Sequence, residues 1–424
     1  MNRFLFLGLI RDKSRSLFPL LIVIAGVFIT VLVYGWVKGA LSDIVDTNSR
    51  FYTGHLKVMT RAYEEQADQM PNDLALLNTD SLIQSLEKHY PDTRWTPRIQ
   101  FGGLLDIPDE QGETRAQGPV SGMAIDLLNN ESREAERLNL RESIIQGRMP
   151  QAPDEILVSE KFARTLNVNM GETGTLLSSS MYGSMAMYNF TIVGTVEFGV
   201  PAMDRGAMIA DVEGIRNALH MENATSELLG YFENEVYRDE RAMEIAHTFN
   251  TQRASSDDEF APVMLTLKEQ NDLASMLEMS DNISSVIVVI FVIVMSIVLW
   301  NAGLMGSLRR YGEFGVRLAI GESKGHIYRS QIMESLMVGF VGSVIGTLLG
   351  LGVTYYLQVH GLDISGMMDS SSIIMSNTIR ARVTTTTLYI GFIPGFLATI
   401  LGTMISGLGI YKRETSKLFK ELEV

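Results

Sequence analysis

The 424-residue sequence contains no cysteine, which excludes a disulfide framework, a thiolate metal site and a lipid-modified N-terminal cysteine. It also lacks the GxxxxGK[ST] loop that binds nucleotide phosphates and the GxSxG elbow of serine hydrolases. The glycine-rich, basic run at residues 321–325 has the wrong spacing for such a loop. Six histidines are scattered, without metal-ligand spacing. We therefore expect no catalytic site, bound metal or cofactor in this chain.

Four long apolar runs carry no charge, at residues 17–37, 283–308, 335–359 and 388–411. A helix needs roughly 20 apolar residues to cross a bilayer, so each run predicts a transmembrane helix. The first run follows basic residues and could instead be a secretory signal peptide. We favour a retained span because the run is long for a signal peptide and no small-x-small cleavage site follows it.

Charge is distributed unevenly between the segments that flank these runs. Basic residues collect at residues 1–16, 309–334 and 412–424, which the positive-inside rule places in the cytoplasm. Residues 38–282 hold 40 acidic and 20 basic residues. We expect this segment, like the loop at residues 360–387, to be extracytoplasmic. Its negative charge makes a nucleic-acid partner unfavourable.

Residues 38–282 alternate between strand-like and helical patterns, which predicts an α/β or α+β domain inserted between transmembrane helices 1 and 2. Its size favours two subdomains. We predict strands at 155–158, 174–177 and 190–196, with residues 178–187 joining the last two, and helices at 160–166, 214–219 and 240–250.

Helical periodicity continues beyond the first two spans. Val37, Leu41, Ile44, Asn48 and Phe51 recur at steps of four and three residues, and the segment before the second span lacks proline. We predict two stalk helices that lift the domain off the bilayer. Ordinary helices of the domain are the alternative.

Methionine and tyrosine cluster between the two predicted strands, at Met181, Tyr182, Met185 and Met187. Thioethers can select Cu(I). An adaptable apolar hairpin tip explains the same residues more simply, and such a tip could contact a protein partner.

Residues 309–321 predict a short amphipathic helix at the cytoplasmic face. Phe314 can face lipid or the helix bundle, and Gly321 can end the helix. Glu313 and Arg317 stand one turn apart and can pair, which is worth only ~0.3–0.5 kcal/mol when exposed.

This loop resembles the cytoplasmic segment of FtsX-like, or MacB-type, permeases of ABC transporters, whose pattern is R-x-x-E-aromatic/aliphatic-G-x-x-R-A-x-G. The chain departs from it by one residue at Leu318–Ala319. The matching residues are Arg310, Glu313, Phe314, Gly315, Arg317 and Gly321.

Other regions are similar to the same family. Glu334 enters the third span, and Gly342, Gly346 and Gly350 make small-xxx-small steps that let helices approach closely. Gly54–His55–Leu56 looks like the domain start of the lipoprotein-release branch, to which the chain is closest. The C-terminal tail departs from the family's Pro-Val-Glu-Ala-Leu-like ending.

The resemblance implies a permease in the bacterial inner membrane whose 309–321 segment is a coupling helix. A separate ATPase dimer would bind ATP and Mg and dock there. A second permease chain, identical or related, would complete the transporter. Membrane lipids surround it, and an extracytoplasmic acceptor or adaptor protein is a further expected partner.

Mechanical transmission to the extracytoplasmic domain, for release of lipoproteins or similar amphipathic cargo, is the function that the resemblance favours. Efflux of peptides or drugs with a periplasmic adaptor is an alternative. A signalling scaffold that activates a cell-wall enzyme is another.

Overall fold

The computed structural model describes residues 13–253, 258–270, 272–309, 311–363 and 378–412. A π-helical turn, Ser49–Thr53, follows the first helix directly. The described α-helices are α1 Lys13–Asn48, α2 Arg61–Glu65, α3 Thr79–His89, α4 Glu134–Arg137, α5 Leu140–Ser143, α6 Glu160–Leu166, α7 Pro201–Asp204, α8 Val212–Leu219, α9 Asp239–Thr251, α10 Leu273–Arg309, α11 Tyr311–Ala319, α12 Lys324–His360 and α13 Thr385–Lys412.

Most strands lie between α1 and α10 in the chain, and several are only two residues long. The described strands are β1 Leu56–Thr60, β2 Leu76–Leu77, β3 Thr93–Pro108, β4 Thr114–Ile125, β5 Ile144–Gly147, β6 Glu155–Ser159, β7 Thr173–Ser179, β8 Met185–Val196, β9 Ala207–Asp211, β10 Ala224–Thr225, β11 Glu227–Phe232, β12 Pro262–Thr266, β13 Leu362–Asp363 and β14 Thr378–Ile379.

The described residues form two compact units. The membrane unit comprises those of residues 1–42, 277–362 and 379–424, and the domain unit those of residues 43–276 and 363–378. Four helical segments are long and apolar enough to cross a membrane: Leu17–Thr53, Ser285–Ala302, Lys324–His360 and Thr385–Gly407. Each of these candidate spans overlaps one of the four apolar runs predicted from the sequence.

One half of the domain unit is an antiparallel four-stranded sheet. Its strand order is β12-β1-β11-β3, and only the first half of β3, residues 93–98, takes part. Side chains of α3 and α9, such as Leu86 and Phe249, share a buried core with Trp95 and Phe232. The chain order β1-α3-β3-β11-α9-β12 with this pairing is a ferredoxin-like arrangement. We call this half the open-sheet subdomain.

The other half lies in the chain between β3 and β11. Residues 99–108 of β3 pair with both β4 and β7, and the pairing continues through β9, β6 and β8 until the sheet closes on itself. Alternate residues point inward, and α8 contributes Ile215 and Leu219 to that interior. We call this half the closed-sheet subdomain. Strand β3 runs through both subdomains.

The mixed α+β character of the domain unit agrees with the alternation in the sequence. The predicted helix at 160–166 is present as α6, with Ser159 as its N-cap. The predicted connection at residues 178–187 is wrong in extent, because β7 continues to Ser179 and β8 begins at Met185. The strands are longer because both complete a closed sheet, a long-range pairing that local sequence does not reveal.

His55 lies in the core of the open-sheet subdomain, with 4% of its surface exposed. Its Nδ1 accepts a hydrogen bond from the backbone N–H of Phe232 at 3.1 Å, and the rings of Tyr231 and Tyr237 pack nearby. Burial, together with the charges of Arg137 and Arg238, lowers the pKa of His55 to about 4.

We predict that stability of the domain unit falls as the pH drops from 6.5 towards 4. Over this range the unfolded chain binds a proton at His55 that the folded chain excludes, and the loss totals roughly 3 kcal/mol. Replacement His55→Asn keeps an acceptor for Phe232 but cannot titrate. Denaturant unfolding of the full chain in detergent, followed by Trp95 fluorescence in a Trp36→Phe/Trp300→Phe background, should show a shallower pH dependence for this variant. An unchanged slope would contradict the assignment.

Candidate functional site

Helix α11 lies in the loop between the second and third membrane-spanning helices and ends in a C-terminal cap at Gly321. Gly321 has φ of +97°, a left-handed conformation that favours glycine. The N–H of Gly321 donates to the carbonyl of Leu318, and the N–H of Glu322 donates to that of Arg317. This pair of bonds is a Schellman motif, which turns the chain into α12 through the N-cap Ser323.

Arg317 forms an ion pair with Glu322, beyond the end of its own helix. Arg317 Nε lies 2.5 Å from Glu322 Oε2, and Nη2 lies 2.7 Å from Oε1. Arg317 therefore pairs with Glu322 and not with Glu313, the partner considered in the sequence analysis. The capped turn brings Glu322 back beside Arg317. Hydrogen bonds with Glu322 raise the pKa of Arg317, partial burial opposes this, and the charges of Glu313 and Glu334 add to the rise.

Helix α11 has one buried side and one exposed side. Phe314 is 6% exposed and Gly315 is buried, whereas Val316 is 56% and Ile320 81% exposed. Glu313 is also exposed. Arg310, the first residue of the predicted coupling motif, lies outside the described residues. The exposed side of α11 is therefore both apolar and acidic. The sequence analysis predicted only part of this surface.

The three predicted packing glycines of α12 receive a valine stripe from α1. A Cβ placed on Gly346 would lie 2.8 Å from the carbonyl oxygen of Ile24, closer than real Cβ atoms come. The valines are fully buried. In order along both helices the contacts are Val23 with Gly342, Val27 with Gly346, and Val31 with Gly350.

Two glycines of α13, which the sequence analysis did not single out, meet the same stripe. A Cβ on Gly391 would lie 2.3 Å from Val31, and one on Gly395 would lie 2.2 Å from Val27. The order is reversed, so α1 runs parallel to α12 and antiparallel to α13. Four helices that cross a membrane alternately have these relative directions.

The methionine-rich segment is a tight turn rather than a long loop. Met185 and Met187 are residues of β8, 77% and 64% exposed, and Tyr182 in the turn is 79% exposed. The N–H of Met181 donates to the carbonyl of Leu219 at the end of α8, which ties the turn to the closed-sheet subdomain. We call the exposed apolar side chains of this turn and of the start of β8 the methionine face: Tyr182, Met185 and Met187. Met181 beside them is half-buried and packs against the core.

One cluster of charged residues could not be predicted from the local sequence. Arg98 and Glu134 are both fully buried and lie 2.5 Å apart, with Arg137 and Glu235 extending the chain of ion pairs. Within the described residues, no group of three or more histidine and acidic side chains is arranged to hold a metal ion.

Comparison with known proteins gives partial matches. Residues 285–415 match the FtsX-like permease C-terminal family model. The chain is 22% identical over 210 residues to the lipoprotein-releasing system transmembrane protein LolC of Xylella fastidiosa, covering 48% of each chain. It is 32% identical over 92 residues to the macrolide export ATP-binding/permease protein MacB of Agrobacterium fabrum, covering 22% of this chain and 14% of that protein. The LolC match thus spans about half the length of that relative.

Among solved structures, the periplasmic region of MacB from Actinobacillus actinomycetemcomitans overlaps with a TM-score of 0.36 and 11% identity. That overlap covers 54% of this chain and 96% of the solved one.

Four apolar helices and the permease-family match define a multi-pass membrane protein. The family match over residues 285–415 and the similarity to the two named relatives support an FtsX/MacB-type ABC transporter permease.

We predict that Gly346→Leu destabilises the membrane unit by roughly 1–3 kcal/mol, because its side chain would overlap Ile24 and Val27. Gly352→Leu is the matched control, since a Cβ on Gly352 of the same helix meets nothing within 4 Å. Thermal unfolding of the full chain in detergent measures both. Equal melting temperatures for the two variants would contradict the packing described.

Proposed function

We propose that this permease works by mechanical transmission, coupling ATP hydrolysis by a separate subunit to movement of an extracytoplasmic domain. The observation that carries the proposal is the length of two helices. Helix α1 has 36 residues and α10 has 37, whereas roughly 20 residues cross a bilayer. At 1.5 Å per residue, each is about 54 Å long and can act as a lever.

Packing in the membrane unit supports transmission over passage of a solute through it. Val23, Val27 and Val31 have no exposed surface and are inserted against glycines of two other helices. Such contacts hold helices close together and let them move as one body. In this proposal the permease lies in the bacterial inner membrane. Residues 38–282, inserted between the first and second spans, face away from the cytoplasm, with stalk helices beneath them.

The ATPase contacts the loop that contains α11. Glu313, Val316 and Ile320 are exposed there, and the ion pair of Arg317 with Glu322 joins the end of α11 to the start of α12. A push on α11 would therefore pass directly into α12. An ATPase dimer, which binds ATP and Mg, requires two such loops and thus a second permease chain.

The cargo that we favour is a lipoprotein or a similar amphipathic molecule, released to an extracytoplasmic acceptor. Support comes from the LolC relative, whose name describes lipoprotein release. The methionine face is the proposed acceptor contact, because methionine side chains adapt to varied apolar surfaces. Efflux is the second candidate, and the MacB relative, named for macrolide export, favours it.

We predict that Val316→Glu/Ile320→Glu reduces ATPase capture by about tenfold or more, because two carboxylates would be buried in the contact. Val236→Glu is the control, since Val236 is 58% exposed in the domain unit. Co-purification of the ATPase with detergent-solubilised permease provides the measurement. The docking assignment fails if both variants retain the ATPase equally.

We predict that Met185→Ser/Met187→Ser lowers release of an acylated lipoprotein from proteoliposomes to a soluble acyl-binding acceptor by roughly fivefold, about 1 kcal/mol of contact energy. Met170→Ser/Met243→Ser changes two other exposed methionines and should leave release unchanged.

ATP-dependent release is measured with the ATPase present, and macrolide transport is measured in parallel. Macrolide transport without lipoprotein release would favour the efflux alternative. ATP hydrolysis with neither activity would overturn both transport proposals.

A further inference from the structure

The π-helical turn at the end of α1 is held by two buried side chains of the domain unit. Arg98 Nη1 donates to the carbonyls of Arg50 and Phe51, at 3.0 and 2.9 Å. The Tyr231 hydroxyl donates to the carbonyl of Ser49 at 3.0 Å. Carbonyls at a helix end need such partners when water cannot reach them.

Arg98 is fully buried, and its charge is balanced by the equally buried Glu134, whose Oε2 lies 2.5 Å from Arg98 Nη2. Glu134 also accepts from Arg137 at 2.7 Å, and Arg137 pairs with Glu235 and lies over the Tyr231 ring. Burial opposes the charged form of Arg98, but Glu134 leaves its pKa raised. Burial also opposes the charge of Glu134, but Arg98 and Arg137 leave the pKa of Glu134 lowered, so Arg98 and Glu134 are both charged.

These residues come from three different parts of the domain unit. The π-helical turn is the end of α1. Tyr231 lies in β11 of the open-sheet subdomain, Glu235 follows that strand, and Glu134 begins α4 in the segment inserted between β3 and β11. Arg98 is the β3 residue at which the strand passes from one subdomain to the other. The ion chain thus joins the stalk end to both subdomains.

Apolar contacts attach the same turn to the closed-sheet subdomain. The Phe51 ring meets the Phe198 ring edge-on at 5.2 Å, and the Tyr52 hydroxyl contacts the sulfur of Met203 at 2.9 Å. Gln270, just before α10, donates to the carbonyl of Thr53 at 3.4 Å. The end of α1 and the start of α10 therefore meet within the domain unit at this turn.

Stability alone gives a weak reason for burying these charges. Replacing a buried ion pair by apolar side chains of similar volume is often neutral or stabilising, because desolvation offsets the attraction. Directional bonds from one rigid guanidinium to two carbonyls and a carboxylate instead fix the relative positions of three segments.

We propose that Arg98 and Glu134 form a joint that passes displacement of α1 to the closed-sheet subdomain and turns it relative to the open-sheet subdomain. The inference rests on the proposed mechanical function. Arg98, Glu134 and Tyr231 act as positioning residues in it. They contact the backbone of the stalk and one another, and no cargo contact is required of them.

The absence of native cysteine permits clean spin labelling of the full chain. Lys161→Cys on α6 and His247→Cys on α9 are exposed positions in the closed-sheet and open-sheet subdomains, respectively. Their separation is measured by electron–electron double resonance in lipid nanodiscs with the ATPase bound. ATP is added together with an ATPase variant that binds but does not hydrolyse it.

We expect ATP to change this separation in the otherwise native chain and Arg98→Met/Glu134→Leu to lose most of the change while retaining ATPase binding. Arg115→Met/Glu172→Leu removes an exposed ion pair in the closed-sheet subdomain and should retain the change. Tyr231→Phe removes only the hydroxyl that bonds Ser49 and should lose part of it.

The outcomes separate the two proposals. No ATP-dependent change in the native background would overturn mechanical transmission itself. A native change that persists undiminished in Arg98→Met/Glu134→Leu would overturn the joint alone. If that variant fails to fold by thermal unfolding, Tyr231→Phe decides, and an undiminished change there overturns the joint.

Discussion

The insertion of the valine stripe of α1 between glycines of α12 and α13 is the contact on which the membrane unit depends. Lipid tails are as apolar as valine, so burial from water does not hold these helices together. Close van der Waals packing does, and it requires glycine opposite each valine. Val27 shows the requirement most directly, because it meets Gly346 on one side and Gly395 on the other.

This packing suits the transmission of displacement that we propose for the protein. A helix seated against two neighbours is a poor wall for a solute pathway but a good element for transmitting displacement. The same helix continues to Asn48 and ends in the π-helical turn that Arg98 and Tyr231 hold. Tight packing at one end and directional hydrogen bonds at the other are what the proposed lever action of α1 requires.

In the loop between the second and third spans, the capped turn at Gly321 joins two helices in a similar way. Gly321 reverses the chain, and Glu322 returns to pair with Arg317, so α11 and the start of α12 are joined by backbone and side-chain bonds. A contact on the exposed side of α11 would act on α12, which carries the glycines that seat α1. The proposed drive from ATPase to domain thus follows contiguous packed elements.

Local sequence determined the four apolar helices, helix α6 and the left-handed turn at Gly321, because each depends on periodicity or capping within a few residues. It also indicated the glycine steps of α12, since a spacing of four places them on one face. Only the tertiary structure decided that valines of α1 fill those steps and that β3 divides between an open and a closed sheet. Glu322 replaces Glu313 beside Arg317, and Arg98 and Glu134 meet although 36 residues separate them. Such pairings form only when folding brings distant segments together. No pattern within a few residues of the sequence therefore predicts them.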